Sequence, residues 1–283
     1  HMITKYHPMF KICSDYTWYS KNLYNHANYI IRQHYFETKE FLNYHDMRVR
    51  MKTEDSFKAI GSNAGQMTLK LLERNWKSYF AICKEWSKNP QKLLGMPRPP
   101  KYLDKNRGKY VVTLTNMQAR IEDGYLFFSF KPFKPHNRLI RSKVEGKLSE
   151  TRIVPRDGYY VLEIVYQIEV PELTTREGRI IGIDLGLNNL MTVQNNYGWK
   201  PFIINGKPLK SYNQYYNMKK SKMQSKLKKV NSEDWSKNLA KLTMKRNNKI
   251  DNYIHRASRY IVDYCIDSGV DTVVVGKNKE WKQ

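Results

Sequence analysis

Apolar positions recur at three- and four-residue spacing from about residue 15 to residue 88, most clearly between Leu69 and Trp86. This period matches one face of an α-helix, and the stretch is long enough for three or four helices. The sequence therefore predicts a helical domain over residues 15–88. The preceding residues, 3–14, partly alternate between apolar and polar positions and are predicted to contain one short strand.

A different pattern follows a basic linker, residues 89–106, whose four prolines cannot continue a helix. Apolar and polar residues then alternate, which indicates half-buried antiparallel strands. The predicted strands are residues 110–115, 125–130, 138–144 and 160–170. Several strands without intervening helices favour a small β-barrel over residues 89–175. We expect the strand within residues 3–14 to join this barrel, which makes the helical domain an insertion.

The last part of the chain, residues 176–283, combines strands with two long helices. The predicted strands are residues 180–184, 190–194, 202–205 and 271–276. Two helices, 207–229 and 238–268, separate the third strand from the fourth, and Gly269 supplies a helix stop. The fourth strand, Asp-Thr-Val-Val-Val-Gly, carries a run of three valines, so we expect it to be parallel and buried. These patterns predict an α+β chain of several domains that ends in an α/β domain.

Charge changes this picture, because 50 lysine and arginine residues face only 26 acids and give a net charge of +24. A polyanion is the expected partner of such a chain. Aromatic residues make up 13% of the sequence, including 21 tyrosines and 6 tryptophans, which suits base stacking beside phosphate neutralisation. The alternative is a basic protein without a polyanionic ligand.

The three cysteines are Cys13, Cys83 and Cys265. Their odd number and wide separation predict neither a disulfide framework nor a zinc site within this chain, which fits a reducing cytoplasm. No apolar run approaches the roughly 20 residues of a membrane span, and no signal-peptide pattern precedes the first domain. We therefore expect no membrane partner.

One carboxylate, Asp184, ends the apolar strand Arg179-Ile-Ile-Gly-Ile-Asp-Leu-Gly and lies between two glycines. A carboxylate at such a strand end is a candidate ligand for a hard cation such as Mg²⁺. Phosphodiester cleavage by two metal ions needs further acids from other strands. Since Asp-x-Gly is also a common turn signal, the pattern alone is equally consistent with a turn residue.

Five stretches together resemble the TnpB family, the RNA-guided nucleases of insertion sequences that are similar to type V CRISPR effectors. These stretches are Ser20–Arg32, Leu69–Phe80, the proline linker Leu94–Tyr102, Gly182-Ile-Asp-Leu-Gly-Leu-Asn-Asn-Leu190, and Val275–Gln283. The resemblance implies a helical recognition domain inserted into a wedge-like β-barrel, followed by part of a RuvC-type, ribonuclease H-like domain. It also implies a guide RNA, a target DNA with a short adjacent motif, Mg²⁺-dependent DNA cleavage and a prokaryotic, nucleoid-associated location.

In this resemblance Asp184 matches the first RuvC acid, but the strand-end position of the second acid holds Gly276. Glu280 is a candidate for the second acid, although its lysine-rich surroundings favour a solvated loop. The third acid and the family's zinc ribbon are expected only in a segment beyond residue 283. We therefore expect a truncated form that binds nucleic acid and does not cut it efficiently.

Two other functions remain open. The first is a nuclease-dead RNA- or DNA-binding protein, such as a TnpB-derived repressor. The second is an actin- or Hsp70-like ATPase, whose first phosphate-binding strand resembles residues 180–186. Those ATPases follow the glycine with Thr or Ser, whereas this chain has Leu187-Asn188, which disfavours that interpretation.

The candidate nucleic-acid contacts are a lysine-rich helix and three polar residues. Residues 207–229 hold eight lysines and no acid, so the cations repel one another unless a polyanion is bound. These lysines are Lys207, Lys210, Lys219, Lys220, Lys222, Lys226, Lys228 and Lys229. Gln66, Thr115 and Asn116 resemble family positions near the adjacent DNA motif, where Asn and Gln can pair with adenine. For Asn116, a turn cap is equally consistent with the sequence.

Overall fold

The computed structural model describes residues 1–169, 178–231, 233 and 235–276. It is a mixed α+β structure, which confirms the predicted class, and it divides into two compact units. Unit 1 spans residues 1–170 and unit 2 spans residues 171–283.

Unit 1 contains the predicted helices. They are α1 (Phe10–Thr38), α2 (Tyr44–Met51), α3 (Asp55–Ile60) and α4 (Ser62–Lys88). α2 begins with a capping box, in which the Asn43 side chain accepts from the backbone N–H of Asp46 while the Asp46 carboxylate accepts from that of Asn43. α1 ends at Lys39, whose φ of 64° lies in the left-handed region that closes many helices.

The prediction of a strand within residues 3–14 is correct only for its first residue. Strand β1 is Met2–Ile3, which pairs with Val161 and Tyr160, and helix α1 already begins at Phe10. Cys13 and Tyr16 are buried on α1, so they extend its apolar stripe. The helical period of this longer stripe therefore prevails over the short alternation at the N-terminus.

The strands of unit 1 form two antiparallel sheets. Their bounds are β2 (Val112–Thr115), β3 (Ala119–Glu122), β4 (Tyr125–Phe128), β5 (Lys147–Arg156) and β6 (Tyr159–Gln167). The larger sheet has the order β1-β6-β5-β2, while β3 and β4 form a separate hairpin. The predicted closed barrel is not confirmed, because among the described residues both edge strands, β1 and β2, are short and do not pair with each other.

The predicted strand over residues 138–144 is not regular. Only an isolated bridge joins Arg141 to Tyr125, and Arg138 has a φ of 63°, which interrupts an extended backbone. β3 and β5 were not predicted from the sequence. β5 escaped prediction because polar residues occupy most of its positions, including Ser149, Glu150 and Arg152.

Helices and sheet of unit 1 share one hydrophobic core. Its fully buried members include Leu23 of α1, Trp76 of α4, Phe128 of β4 and Ile153 of β5. The boundary at residues 88/89 therefore marks a change of secondary structure within one core. Trp76, on the apolar stripe of α4, is a core residue, whereas Trp86 on the same helix is only half-buried.

The proline linker is fastened along α1 by asparagine side chains. Asn25 both donates to the Leu103 carbonyl (2.8 Å) and accepts from the Leu103 N–H (2.9 Å). Asn28, which is fully buried, donates to the Pro100 carbonyl (3.0 Å) and accepts from the Trp76 indole N–H (3.0 Å). Three sequence-distant stretches therefore meet at Asn28.

Replacing Asn28 with Ala should lower the free energy of unfolding by about 2–3 kcal/mol, since a buried indole N–H loses its acceptor. Urea-induced unfolding measures this change. Asn116→Ala, which changes an exposed residue, should shift stability by less than about 0.5 kcal/mol. Equal stability of the two variants would contradict the role given to Asn28.

Unit 2 is a four-stranded sheet with two helices. Its elements are β7 (Arg179–Leu185), β8 (Asn189–Asn195), β9 (Phe202–Asn205), α5 (Lys207–Asn231), α6 (Lys237–Asp267) and β10 (Val270–Val275). The sheet order is β10-β7-β8-β9, and β10 runs parallel to β7 while the other pairs are antiparallel. All six elements agree with the sequence prediction.

The predicted burial of β10 is wrong. Val273, Val274 and Val275 are 45%, 56% and 51% exposed. Among the described residues β10 is an edge strand, with a pairing partner on one side only. Its run of three valines is typical of a strand covered on both faces, and that cover does not come from the described part of the chain.

Candidate functional site

Asp184 lies on β7, the strand between β10 and β8. Ile181 and Ile183 are buried on one face of β7, and Asp184 is exposed on the other face, opposite Thr192 of β8. The alternation of the strand therefore directs the carboxylate away from the core.

Gly276 lies directly beside this carboxylate. Its backbone N–H donates to the Ile183 carbonyl (2.9 Å), and a Cβ at position 276 would be 3.7 Å from Asp184 Oδ1. The end of β10 is thus the position from which a side chain would reach Asp184. With glycine at this position, the space next to the carboxylate stays open.

The turn after Asp184 is fastened to the beginning of α5. Gly206 donates its N–H to the Asn188 carbonyl (2.7 Å), and Lys210 Nζ donates to Asn188 Oδ1 (2.8 Å). A Cβ at Gly206 would be only 2.2 Å from the Leu187 carbonyl oxygen, so this approach requires glycine. These contacts place the first lysines of α5 next to the loop that follows the Asp184 strand.

The donor set at Asp184 suits a hard cation but is incomplete. Within the described residues, no three His, Cys, Asp or Glu side chains lie together so that they could hold a metal ion. Asp184 supplies one carboxylate, and carboxylate oxygens are among the ligands that Mg²⁺ prefers. Glu280, the candidate second acid, lies outside the described residues.

The lysines of α5 are accessible to a ligand. All eight lie on the helix, and seven are exposed while Lys220 is half-buried. None of them forms an ion pair with another residue of the described ranges. Lys219 and Lys220 lie over the rings of Tyr215 and Tyr216, 5.7 and 5.8 Å from the ring centroids. The helix therefore presents cations whose charge is not neutralised by the described acids.

A shallow polar groove of about 240 Å³ follows one face of α5. Its lining consists of hydrogen-bonding or cationic side chains: Asn217, Lys220, Ser221, Gln224, Ser225 and Lys228. Such a lining suits phosphate and sugar oxygens better than an apolar ligand.

Further cations on α6 escaped the sequence prediction. Lys237, Lys241, Lys245 and Lys249 recur at four-residue spacing, the signal by which a helical stripe is recognised. Arg246 donates to Asn213 Oδ1 of α5 through Nε and Nη2 (2.8 and 2.6 Å) and lies 5.4 Å from the Tyr216 ring centroid. α5 and α6 therefore form a basic hairpin joined partly by polar contacts.

The three polar candidates of unit 1 have different surroundings. Gln66 is engaged, since its Oε1 accepts from the Tyr44 hydroxyl (2.9 Å) and its Nε2 donates to Ser62 Oγ (3.2 Å). Asn116 is exposed in the turn after β2. Thr115 Oγ1 is buried without a hydrogen-bond partner in the described part of the chain, and so is Oε1 of Gln118, a residue that the sequence did not indicate.

The structure contains no helix, within the described ranges, that is long and apolar enough to cross a membrane.

Comparison with known proteins finds one family match, in the second half of the chain. Residues 163–282 match the family model OrfB_IS605, described as a probable transposase. No curated protein matches the chain. The matched residues contain β7 with Asp184, the basic α5–α6 hairpin and β10.

Several solved structures also match. The cryo-EM structure of a Cas12f1–sgRNA–target DNA complex has a TM-score of 0.47 and 13% identity, with coverage of 97% of this chain and 66% of that one. The cryo-EM structure of a CRISPR-Cas12f ternary complex has a TM-score of 0.31 and 12% identity, with coverage of 94% and 62%. The chain thus spans less than two thirds of both. Residues 163–282 thus match the family of IS605-type probable transposases, in agreement with the TnpB resemblance of the sequence motifs.

Proposed function

We propose that this chain is the nucleic-acid-binding portion of a TnpB-like RNA-guided DNA endonuclease encoded by a transposon. The observation that carries the proposal is the fastening of the Asp184 loop to the start of α5. These contacts join the loop that follows Asp184, a candidate metal ligand, to a helix whose eight lysines form no ion pair with the described acids. Both lie within the residues that match the family model. A phosphate backbone bound along α5 would thereby be led towards Asp184.

The proposed partners are a guide RNA and a target DNA with a short adjacent motif. A net charge of +24 supports a polyanionic partner, and a polar groove along α5 supports contacts to phosphate and sugar. In unit 1, Thr115 and Asn116 are the proposed readers of the adjacent motif. Gln66 already uses its amide within the protein, so its proposed contribution is to orient Tyr44. The proposed location is the prokaryotic nucleoid.

The proposed layout follows the family. Helices α1–α4 act as the recognition domain, the sheets of unit 1 as the wedge-like domain, and unit 2 as part of a RuvC-like domain. Asp184 is the proposed first metal ligand, and Mg²⁺ would supply an activated water and stabilise the leaving oxygen. The remaining acids and the zinc ribbon are proposed to lie outside the described residues, so this chain by itself should bind nucleic acid and cut it poorly.

A second candidate is a nuclease-dead binder of RNA or DNA, such as a TnpB-derived repressor. Gly276 favours it, because the position beside Asp184 that could carry a second acid has no side chain. Mg²⁺-dependent cleavage separates the two candidates. The ATPase alternative is disfavoured by Leu187, which offers no hydroxyl for a phosphate contact.

Salt dependence tests the proposed binding. The binding constant for a labelled single-stranded RNA should fall as salt is added. A plot of its logarithm against the logarithm of the salt concentration should have a slope of about −4 or steeper, since each phosphate contact contributes roughly 0.7–0.9 to the slope. Fluorescence anisotropy at several KCl concentrations gives this slope. A slope near zero, or no binding at low salt, would overturn the proposal.

A further inference from the structure

The β3–β4 hairpin of unit 1 carries an additional segment along its edge. Leu126 donates its N–H to the Ile140 carbonyl (2.9 Å), and Ser142 donates to the Gly124 carbonyl (2.9 Å). The Asn137 side chain takes the place of a strand residue, because its Oδ1 accepts from the Phe128 N–H (2.7 Å). Residues 137–142 are thereby held beside β4 although they form no regular strand.

This arrangement places three arginines over two aromatic rings. Arg120, the cross-strand neighbour of Phe127, has its guanidinium 5.5 Å from the Phe127 ring centroid, and that of Arg138 is 5.4 Å from the same centroid. Arg141 lies 5.5 Å from the Tyr125 centroid. We call these five residues the arginine surface. Because the rings restrict the side chains, less rotamer freedom remains to be lost on binding.

The charges of the arginine surface are only partly neutralised. Arg120 pairs with Glu122 (2.8 Å) and Arg138 with Asp123 (3.9 Å), and these pairs are exposed to solvent. Arg141 is exposed and forms no ion pair within the ranges that the structure describes. Residues 120–147 contain seven lysines and arginines against three acids. An excess of positive charge thus surrounds guanidinium groups that are already oriented.

The backbone of Arg138 adds a second observation. Its φ of 63° lies in the left-handed region, which is unfavourable for a residue with a side chain. From this left-handed position the Arg138 guanidinium lies over the Phe127 ring. Unfavourable backbone conformations of this kind are retained where the surrounding structure needs a particular side-chain position.

We infer that the arginine surface binds the phosphate backbone of a nucleic acid, at a site separate from the α5 lysines. The guanidinium fork matches two phosphate oxygens, whereas a lysine offers a point charge. Replacing the exposed partners Glu122 and Asp123 with phosphate costs little free energy, because solvent-exposed ion pairs are weak. The inference deepens the proposed nucleic-acid-binding function and rests on it.

The test compares two variants of the full chain with a matched control. Arg138→Gln/Arg141→Gln removes two exposed charges, and the control Lys5→Gln/Lys200→Gln removes two exposed charges that lie outside helices α1–α6 and outside the arginine surface. Phe127→Leu removes the ring under Arg120 and Arg138 while leaving every charge in place. The probes are labelled oligouridylate, oligothymidylate and an RNA duplex of about 20 base pairs, with binding measured by fluorescence anisotropy at 0.1 M KCl. Thermal unfolding confirms that each variant is folded.

The arginine double variant should bind at least one probe about 25-fold more weakly, from two contacts of roughly 0.7 log units each at 0.1 M salt. The lysine control should change affinity by less than about threefold. Phe127→Leu should weaken binding of the same probe as the arginine variant does. The probe with the largest loss identifies RNA, DNA or duplex as the ligand.

Equal affinities of the arginine variant and the lysine control, with tight binding by the native chain, would overturn this inference and leave the proposed function intact. Absence of nucleic-acid binding by the native chain would overturn both. A loss of binding to anionic phospholipid vesicles, with oligonucleotide binding unchanged, would also overturn the inference. If Phe127→Leu does not fold, the arginine pair alone decides, since both of its side chains are exposed.

Discussion

Replacing Lys219, Lys222, Lys226 and Lys229 with glutamine should weaken binding of single-stranded RNA about 600-fold at 0.1 M salt. The spacing of three, four and three residues places these lysines on one stripe of α5, and all four are exposed. Each phosphate contact to a single strand contributes roughly 0.7 log units at this salt concentration, so four lost contacts give the expected factor. Fluorescence anisotropy across a KCl series measures both the affinity and its salt slope.

The same measurement contains its own control. The slope of the variant should be smaller than that of the native chain by about 2.8, and the two affinities should converge near 1 M salt. Glutamine retains a helix propensity close to that of lysine, so α5 itself should stay intact. A variant with the exposed Lys5, Lys101, Lys105 and Lys200, which lie outside helices α1–α6, changed to glutamine carries the same change in net charge. Equal losses in both variants would mean that general charge, and not α5, determines binding.

Much of unit 2 could be predicted because its signals are local. The alternation around Ile181 and Ile183 fixes the strand that carries Asp184, and the cation-rich helical period fixes α5. The fastening of the two through Asn188 and Lys210 could not be predicted, since it joins residues 22 positions apart through a single side-chain contact. Local periodicity therefore identifies the parts of the candidate site, while their juxtaposition depends on the tertiary fold.

The arginine surface shows the same limit more clearly. The sequence predicts a strand near residues 138–144, but the left-handed Arg138 and the Asn137 side chain replace regular pairing there. Without this irregular edge, a period-two pattern would not bring Arg138 over Phe127. Likewise, the valine run of β10 predicts burial, and only the sheet order reveals that it is an edge strand.

The loss of Asp184 should have the largest effect on chemistry. In a guide-RNA complex that cleaves DNA with Mg²⁺, Asp184→Asn should lower the cleavage rate at least about a thousandfold. A metal ion contributes several kcal/mol of charge stabilisation to the transition state, and 1.36 kcal/mol corresponds to a factor of ten. Affinity for RNA should stay within about twofold, because the substitution is isosteric and lies on an exposed face. Single-turnover cleavage of a labelled DNA target measures the rate.

Metal binding by this chain tests the role of Asp184 without a cleavage reaction. Gly276→Asp should place a second carboxylate beside Asp184, since a Cβ at this position lies 3.7 Å from Asp184 Oδ1. Affinity for Mn²⁺, followed by electron paramagnetic resonance, should increase at least about tenfold, because two carboxylates hold a hard cation better than one. Asp184→Asn in the same background should remove the gain. Gly95→Asp, a change at an exposed position where an added Cβ meets no atom within 4 Å, is the control for added negative charge. If Gly276→Asp binds Mn²⁺ no better than this control, then Asp184 and the end of β10 do not form the framework of a metal site, and its assignment as the first metal ligand would be wrong.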